Sequence, residues 1–332
     1  MLGKGTRVLI TGGTGFTGTY LVKALCKRSC DVRVIARPSS DLSAFANFDI
    51  EWYRGDVHDE DLVRDACVDI EYVFNLAAAY RVSGVSDQVY RDVHVTASRY
   101  LATYAAQSRT LRRFIHVSTV GVHGHIEAPP ANEESAFNPG DIYQETKAEA
   151  ENWIRQFATE NDLPLTVIRP AAIYGPGDTR LLKLFRMAKL PVVPLLGNTK
   201  GLYHLIHVED LVSFMLLAAE EPVAEGGVYI CGNPEASSIP EIIETVADHL
   251  GREARFVRVP AGPVFLLADL CEKTFGALDR PSPLYRRRVA FFTKDRAFDT
   301  ARMQALPGFE YKFNNETGIR QTCDAYRIAG QL

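Results

Sequence analysis

The chain has 332 residues, of which 46% are hydrophobic and 23% charged, with a formal net charge of −4. This is an ordinary soluble globular composition, long enough to bury a substantial core in one large or two modest domains. The balance leaves no basic footprint for nucleic acid, and no apolar run approaches the roughly 18 residues of a membrane span.

Taken in chain order, residues 7–11 (RVLIT) form a short β-branched run that predicts a first strand. Residues 15–27 follow with helical periodicity, Leu21, Ala24 and Leu25 sharing one side. Apolar strands are predicted at 32–36, 50–53, 72–76, 114–118 and 166–169, and helices between them at 59–67, 87–107 and 141–161. Strand alternating with helix, with strands apolar almost throughout, argues a parallel sheet covered on both faces. The expected fold class is therefore α/β, a Rossmann-type doubly wound parallel sheet. After about Gly175 the pattern loosens around Pro176, Pro191 and Pro194. A strand and helix return over 205–219, a strand over 228–231, then helices over 239–250 and 263–275 with short extended pieces. The expected division is a dinucleotide-binding domain of residues 1–175 plus 203–233, with a smaller interleaved substrate subdomain of 176–202 plus 234–332. The apolar runs 211–219 and 263–270 suit core or interfacial helices, and Arg286-Arg287-Arg288 reads as a solvated face.

Cys26, Cys30, Cys67, Cys231, Cys271 and Cys323 form no CxxC pair, so neither a zinc site nor a redox motif is expected. With no leader recognisable before the first strand, reduced thiols and a cytoplasmic location are expected.

The first strand runs into Thr11-Gly12-Gly13-Thr14-Gly15-Phe16-Thr17-Gly18, with glycines at 12, 15 and 18. A tight strand-to-helix turn favours residues that tolerate positive φ. A pyrophosphate needs close backbone approach and the free N–H groups of a helix N-terminus. The motif stands in the context it requires, after a first strand and before an amphipathic helix. At the end of the second strand, NAD binders usually carry an acid for the ribose 2′-OH. Here that position is Ala36, followed by Arg37, Pro38, Ser39 and Ser40. A guanidinium beside hydroxyls suits a 2′-phosphate, so NADP is favoured, with NAD left open because Arg37 could instead stack on adenine.

In the helix over 141–161, Tyr143 and Lys147 stand at i and i+4, on one face. A nearby ammonium favours the phenolate and lowers a tyrosine pKa that is otherwise near about 10. Such a pair can exchange a proton with a secondary alcohol or ketone while a nicotinamide exchanges hydride. A third element, Ser118-Thr119, ends a strand at the carboxyl edge of the sheet, where ligands of this fold class bind.

Together these residues resemble the extended short-chain dehydrogenase/reductase family, also called the NAD-dependent epimerase/dehydratase family. The resemblance rests on TGGTGFTG, GDV at 55–57, NLAA at 75–78, VSTVGVHG at 117–124, the YxxxK helix, RPAAIYGPGD at 169–178 and HVEDLV at 207–212, and is strong over about residues 6–232. It implies Tyr143 as acid/base, Lys147 as the residue that tunes it and holds the nicotinamide ribose, and Thr119 as hydrogen-bond partner of the substrate oxygen. The implied cofactor contacts are Gly12, Thr14, Gly15, Phe16, Thr17 and Gly18 on the turn, with Arg37 and Ser40, Asp56 and Val57 beside the adenine, Leu76, Ala77 and Ala78, then Tyr143, Lys147 and Pro170. It also implies a homodimer packed through the helices at 87–107 and 141–161, and no metal.

Departures from the family pattern narrow the function. Where nucleotide-sugar 4,6-dehydratases carry Asp-Glu, this chain has Val120-Gly121. Where sugar epimerases usually carry Asn and Arg, it has Ala172 and Tyr203; the family's Asn after the fourth strand is His94. The carboxyl-terminal half, including the 263–275 run, Arg288-Val289 and FDTARM at 298–303, looks like the 3β-hydroxysteroid dehydrogenase-like branch. The expected activity is NAD(P)-dependent interconversion of a secondary alcohol and a ketone on a small-molecule substrate that is fairly apolar or mixed. Epimerisation of a sugar or nucleotide sugar by transient oxidation is the alternative, and a dinucleotide-sensing binding protein the second.

Overall fold

The structure, a computed structural model, describes residues 1–79, 86–197, 201–277 and 296–332. Arg286-Arg287-Arg288 and Val289 lie outside the described residues. Seven strands build the main sheet: β1 (Arg7–Thr11), β2 (Asp31–Ala36), β3 (Ile50–Arg54), β4 (Tyr72–Asn75), β5 (Arg113–Val117), β6 (Leu165–Pro170) and β11 (Val228–Cys231). Their order is β11-β6-β5-β4-β1-β2-β3 and every pairing is parallel. The chain winds outward from β1 to β2 and β3, then crosses to β4 on the other side of β1. The carboxyl ends of β1 and β4 are therefore the topological switch point, where this architecture opens a crevice.

Alternation along each strand feeds two cores. In β1, Val8 and Ile10 face the layer containing α1 (Phe16–Lys27) and α7 (Val208–Glu220), while Leu9 faces the opposite layer. That second layer holds α2 (Glu60–Ala66), α4 (Ala97–Ala106) and α5 (Ile142–Asn161), through Val63, Ala66, Leu101, Ala105 and Ile154. The predicted doubly wound sheet is thus present, with both faces covered.

A separate apolar cluster forms beyond β7 (Ala172–Tyr174), where Phe185, Val193 and Leu205 meet Ile242, Ile243 and Val246 of α8 (Ile239–His249). It is closed by Ile319, Cys323 and Tyr326 of the last helix, α11 (Asn315–Ile328). Sequence periodicity misses α11 because its buried stripe is narrow and partly polar. What starts the helix is a reciprocal capping box between Asn314 and Thr317. Three two-stranded ribbons complete this part: β10 (Leu205–His207) with β7, β9 (Leu202–Tyr203) with β12 (Ser237–Ser238), and β8 (Val193–Leu196) with β13 (Phe256–Val259). The apolar run 263–270 falls in helix α9 (Ala261–Ala277), which leaves Leu266, Leu267 and Leu270 exposed.

The helix predicted over 87–107 is one continuous run with a defect inside it. α3 (Asp87–Arg91) passes into a π turn, Asp92–Thr96, before α4 begins. Single π turns are rare and recur at functional sites. Among the described residues no helix is long and apolar enough to cross a membrane, and no acidic, His or Cys cluster could hold a metal ion.

Candidate active site

The turn after β1 is closed by its glycines, but for different reasons. Gly12 adopts φ +71°, and a Cβ there would meet the backbone of Leu76 and Ala77 at 2.9 Å. Gly18, inside α1, would bring a Cβ to 2.1 Å from the Gly12 carbonyl oxygen. Gly15 is the N-cap of α1 with an extended backbone, φ −77°, and a Cβ there would meet only that same oxygen, at 3.3 Å. Positive φ is thus required at Gly12 alone; Gly18 serves close helix packing. No side chain caps α1, so the N–H groups over Phe16, Thr17 and Gly18 start a helix with no acidic residue in its first turn.

The other predicted cofactor residues lie along the same sheet edge. Thr14 Oγ1 stands 3.4 Å from Ser40 Oγ, joining the turn to the loop after β2. Ala36 is buried at the strand end and Arg37 projects exposed beyond it. Gly55 N–H donates to the Ala36 carbonyl, which places exposed Asp56 and half-buried Val57 next to that end. Leu76 N–H donates to the Thr11 carbonyl and Ala77 N–H to Thr11 Oγ1, at 3.2 Å each, with Ala78 exposed just beyond. Pro170 is the buried last residue of β6 and pairs with Cys231 of β11.

Asp141 fixes the start of the helix that carries Tyr143 and Lys147. Its carboxylate accepts from Gln144 N–H at 3.0 Å as N-cap of α5, so Tyr143 sits in the first turn and Lys147 one turn on. Lys147 is 3% exposed, and its Nζ donates to the Val117 carbonyl at the end of β5, at 3.0 Å. Burial pulls the ammonium pKa down to about 8, opposed by the Glu151 carboxylate one turn further along. Glu151 is itself held by fully buried Arg169, with Nη2 to Oε1 at 2.6 Å. Thr119 caps the short helical turn Val120–His123, accepting from Gly121 N–H at 3.0 Å. That turn packs on the start of α5: a Cβ on Gly121 would lie 3.5 Å from Gln144 Cγ.

Beneath these residues runs a buried polar network that motif reading does not single out. Thr11 Oγ1 donates to Asn75 Oδ1 at 2.8 Å, and Asn75 Nδ2 donates to Ser98 Oγ at 2.9 Å. Ser98 in turn donates to the His94 carbonyl. Asn75 Nδ2 also lies 3.3 Å from His116 Nδ1, which can only accept from it. Burial, with the Lys147 charge beside it, drops the His116 pKa to about 3, so the ring is neutral at working pH. These four side chains come from β1, β4, β5 and α4. They meet because the strand order places β4 between β1 and β5.

Sequence comparison supports the same assignment. The description of the NAD dependent epimerase/dehydratase family matches residues 8–232. The chain belongs to this family. It is 29% identical over 274 residues to the sterol demethylase protein B of Methylococcus capsulatus, covering 80% of this chain and 82% of that one. It is 28% identical over 341 residues to a 3 beta-hydroxysteroid dehydrogenase/Delta 5→4-isomerase of Mycobacterium tuberculosis, covering 96% and 90%. Among solved structures, the UDP-glucose 4-epimerase of Thermotoga maritima superposes with TM-score 0.77 at 22% identity, over 98% of this chain and 99% of that one. The resemblance expected from the motifs is therefore correct, and the protein is a nicotinamide-dinucleotide-dependent enzyme of the oxidoreductase and epimerase class.

The site residues fit a nicotinamide dinucleotide. The turn is cleared of side chains at Gly12, Gly15 and Gly18, and it faces an uncapped helix start. Thr119 follows the carboxyl end of β5, and Tyr143 and Lys147 lie in the first two turns of α5, which that strand end contacts through Lys147.

Proposed function

We propose that this enzyme reduces a ketone to a secondary alcohol, or runs the reverse, with Tyr143 as the proton donor and acceptor. The observation that carries the reading is Lys147, buried on the Val117 carbonyl one helical turn beyond Tyr143. At a pKa of about 8 the ammonium form still predominates at pH 7, and its charge favours the Tyr143 phenolate. A nicotinamide held on the turn of residues 12–18 and at Lys147 would supply or take up the hydride. Tyr143 gives its proton to the carbonyl oxygen as the C=O becomes C–OH, and Thr119 orients that oxygen with its hydroxyl hydrogen. In the oxidative direction Tyr143 takes the same proton back. The turn residues Gly12, Thr14, Gly15, Phe16, Thr17 and Gly18 hold the pyrophosphate. Asp56 and Val57 flank the adenine, while Leu76, Ala77, Ala78 and Pro170 line the cleft.

NADP is the preferred cofactor. The support is Ala36 where an acid would bind a ribose 2′-OH, with Arg37 exposed and Ser40 tied to Thr14 at the same end. An apolar substrate is supported by the named chemistry of the sterol relatives and by Val120-Gly121 in place of a dehydratase acid–base pair. Epimerisation by transient oxidation remains the second reading, favoured by the fold shared with the Thermotoga epimerase. The substrate subdomain of 176–202 plus 234–332 is proposed around the separate α8/α11 core. A homodimer through α4 and α5, and a cytoplasmic location consistent with six free cysteines, complete the proposal.

The deciding experiment incubates the protein with NADPH or NADH and a panel of cyclic and long-chain ketones. Net oxidation of NADPH, with a lower Michaelis constant than for NADH, is expected. A clear preference for NADH sinks the NADP assignment, and stereoisomer exchange without net cofactor oxidation makes the enzyme an epimerase.

A further inference from the structure

His94 stands where the motif pattern of the family has Asn, and the structure gives it a connection no amide could make. The ring is 1% exposed and lies in the π turn. A π turn is wider than an α turn, so residues four apart stay more nearly in line. Tyr90, His94 and Ser98 are spaced in this way, and the Tyr90 and His94 ring centroids are 6.0 Å apart. His94 Nε2 accepts from Ala79 N–H at 3.0 Å, in the loop that follows Leu76, Ala77 and Ala78. His94 Nδ1 lies 2.8 Å from Thr146 Oγ1, between Tyr143 and Lys147 on α5. The ring also meets Tyr143 edge-on, with centroids 5.3 Å apart.

The donor pattern fixes the tautomer. A backbone N–H can only donate, so Nε2 is the bare nitrogen. Thr146 Oγ1 spends its own hydrogen on the Ile142 carbonyl at 2.7 Å, so it receives from Nδ1–H. The direction is uniform: Ala79 N–H to Nε2, Nδ1–H to Thr146, Thr146 to Ile142. Burial, with the Lys147 charge nearby, drops the His94 pKa to about 2, so the ring does not switch this arrangement off by protonating at working pH.

We propose that His94 is a positioning residue: a fixed-length imidazole strut that sets the spacing between the cofactor-side loop after β4 and the start of α5. One side of the strut is the wall at Leu76, Ala77 and Ala78; the other is the helix carrying Tyr143 and Lys147. The inference rests on the cofactor site proposed above. Its chemistry separates the two ends. Asn can supply a donor in place of Nδ1–H but has no atom to replace Nε2. Gln can supply an acceptor in place of Nε2 but not the Nδ1–H.

The test titrates NADPH and NADH into the wild type, His94→Asn and His94→Gln, following nicotinamide fluorescence, with a thermal melt of each protein. His94→Asn, which loses the loop end, and His94→Gln, which loses the α5 end, are each expected to weaken cofactor binding about tenfold, at melting temperatures close to wild type. Wild-type affinity in either variant overturns the strut. Imidazole ¹⁵N and ¹³C NMR of the wild type reads the geometry without any variant. A non-titrating Nδ1–H tautomer between pH 5 and 9 is expected; an Nε2–H tautomer overturns the proposal even if His94→Asn does not fold. Failure of the wild type to bind either cofactor instead refutes the functional reading, while the tautomer still decides the strut.

Discussion

Two glycines three residues apart in the first turn should respond oppositely to the same methyl group. In Gly18→Ala the new Cβ would start 2.1 Å from the Gly12 carbonyl oxygen and 2.7 Å from Gly13 Cα. Relieving that contact takes a backbone retreat of roughly an ångström towards ordinary van der Waals separation. Gly12 cannot retreat, because it is already packed on the Leu76 and Ala77 backbone with φ +71°. The cost therefore belongs at the upper end of the overpacking range, about 3 kcal/mol. In Gly15→Ala the Cβ meets only the Gly12 oxygen at 3.3 Å, on a backbone any residue adopts. Its cost is that of Ala replacing Gly at an N-cap, about 1 kcal/mol or less. The methyl nevertheless stands on the surface proposed to meet the pyrophosphate. NADPH binding by Gly15→Ala should weaken about a hundredfold, equivalent to about 3 kcal/mol. Urea unfolding of each variant, paired with fluorescence titration of NADPH, measures both quantities. Equal destabilisation of the two variants, or wild-type affinity in Gly15→Ala, would refute the division of labour within the turn.

Three other outcomes are expected. Tyr143→Phe should lower kcat by about 10²- to 10⁴-fold and NADPH affinity far less, since it removes the hydroxyl that moves the proton; turnover at the wild-type rate removes Tyr143 from the chemistry. Glu151→Gln breaks a fully buried pair with Arg169, and the urea midpoint should report a loss of about 3 kcal/mol; a loss below about 1 kcal/mol would mean that the pair is relaxed in solution. Acid sensitivity follows from His94 and His116, whose folded pKa values fall to about 2 and about 3 from 6.5. A depressed folded pKa means that the unfolded chain binds the proton first, so this stability is present above pH 6.5 and is lost as pH falls towards the folded values. Between pH 7 and pH 5 the two rings together should cost about 4 kcal/mol, and His116→Gln should lessen that slope in a chemical-denaturation series.

Local motifs pointed to the cofactor half of the proposed site. The glycine spacing, the Ala36-Arg37 strand end and the Tyr143/Lys147 interval each encode geometry within a few residues, where helix and strand periods are reliable guides. The support under that site was hidden for a physical reason. Thr11, Asn75, Ser98 and His116 are far apart in the chain and become neighbours only when β4 inserts between β1 and β5. The helical pattern over 87–107 likewise hid its π turn, because apolar periodicity cannot register one altered turn within a longer helix. His94 was visible only as a departure from a pattern. Its two hydrogen bonds depend on that turn for direction and on α5 for a partner. In the proposed strut the imidazole's two nitrogens, on opposite sides of the ring, connect the loop after β4 to α5. The proposed strut therefore acts on the spacing between residues that the motifs already name.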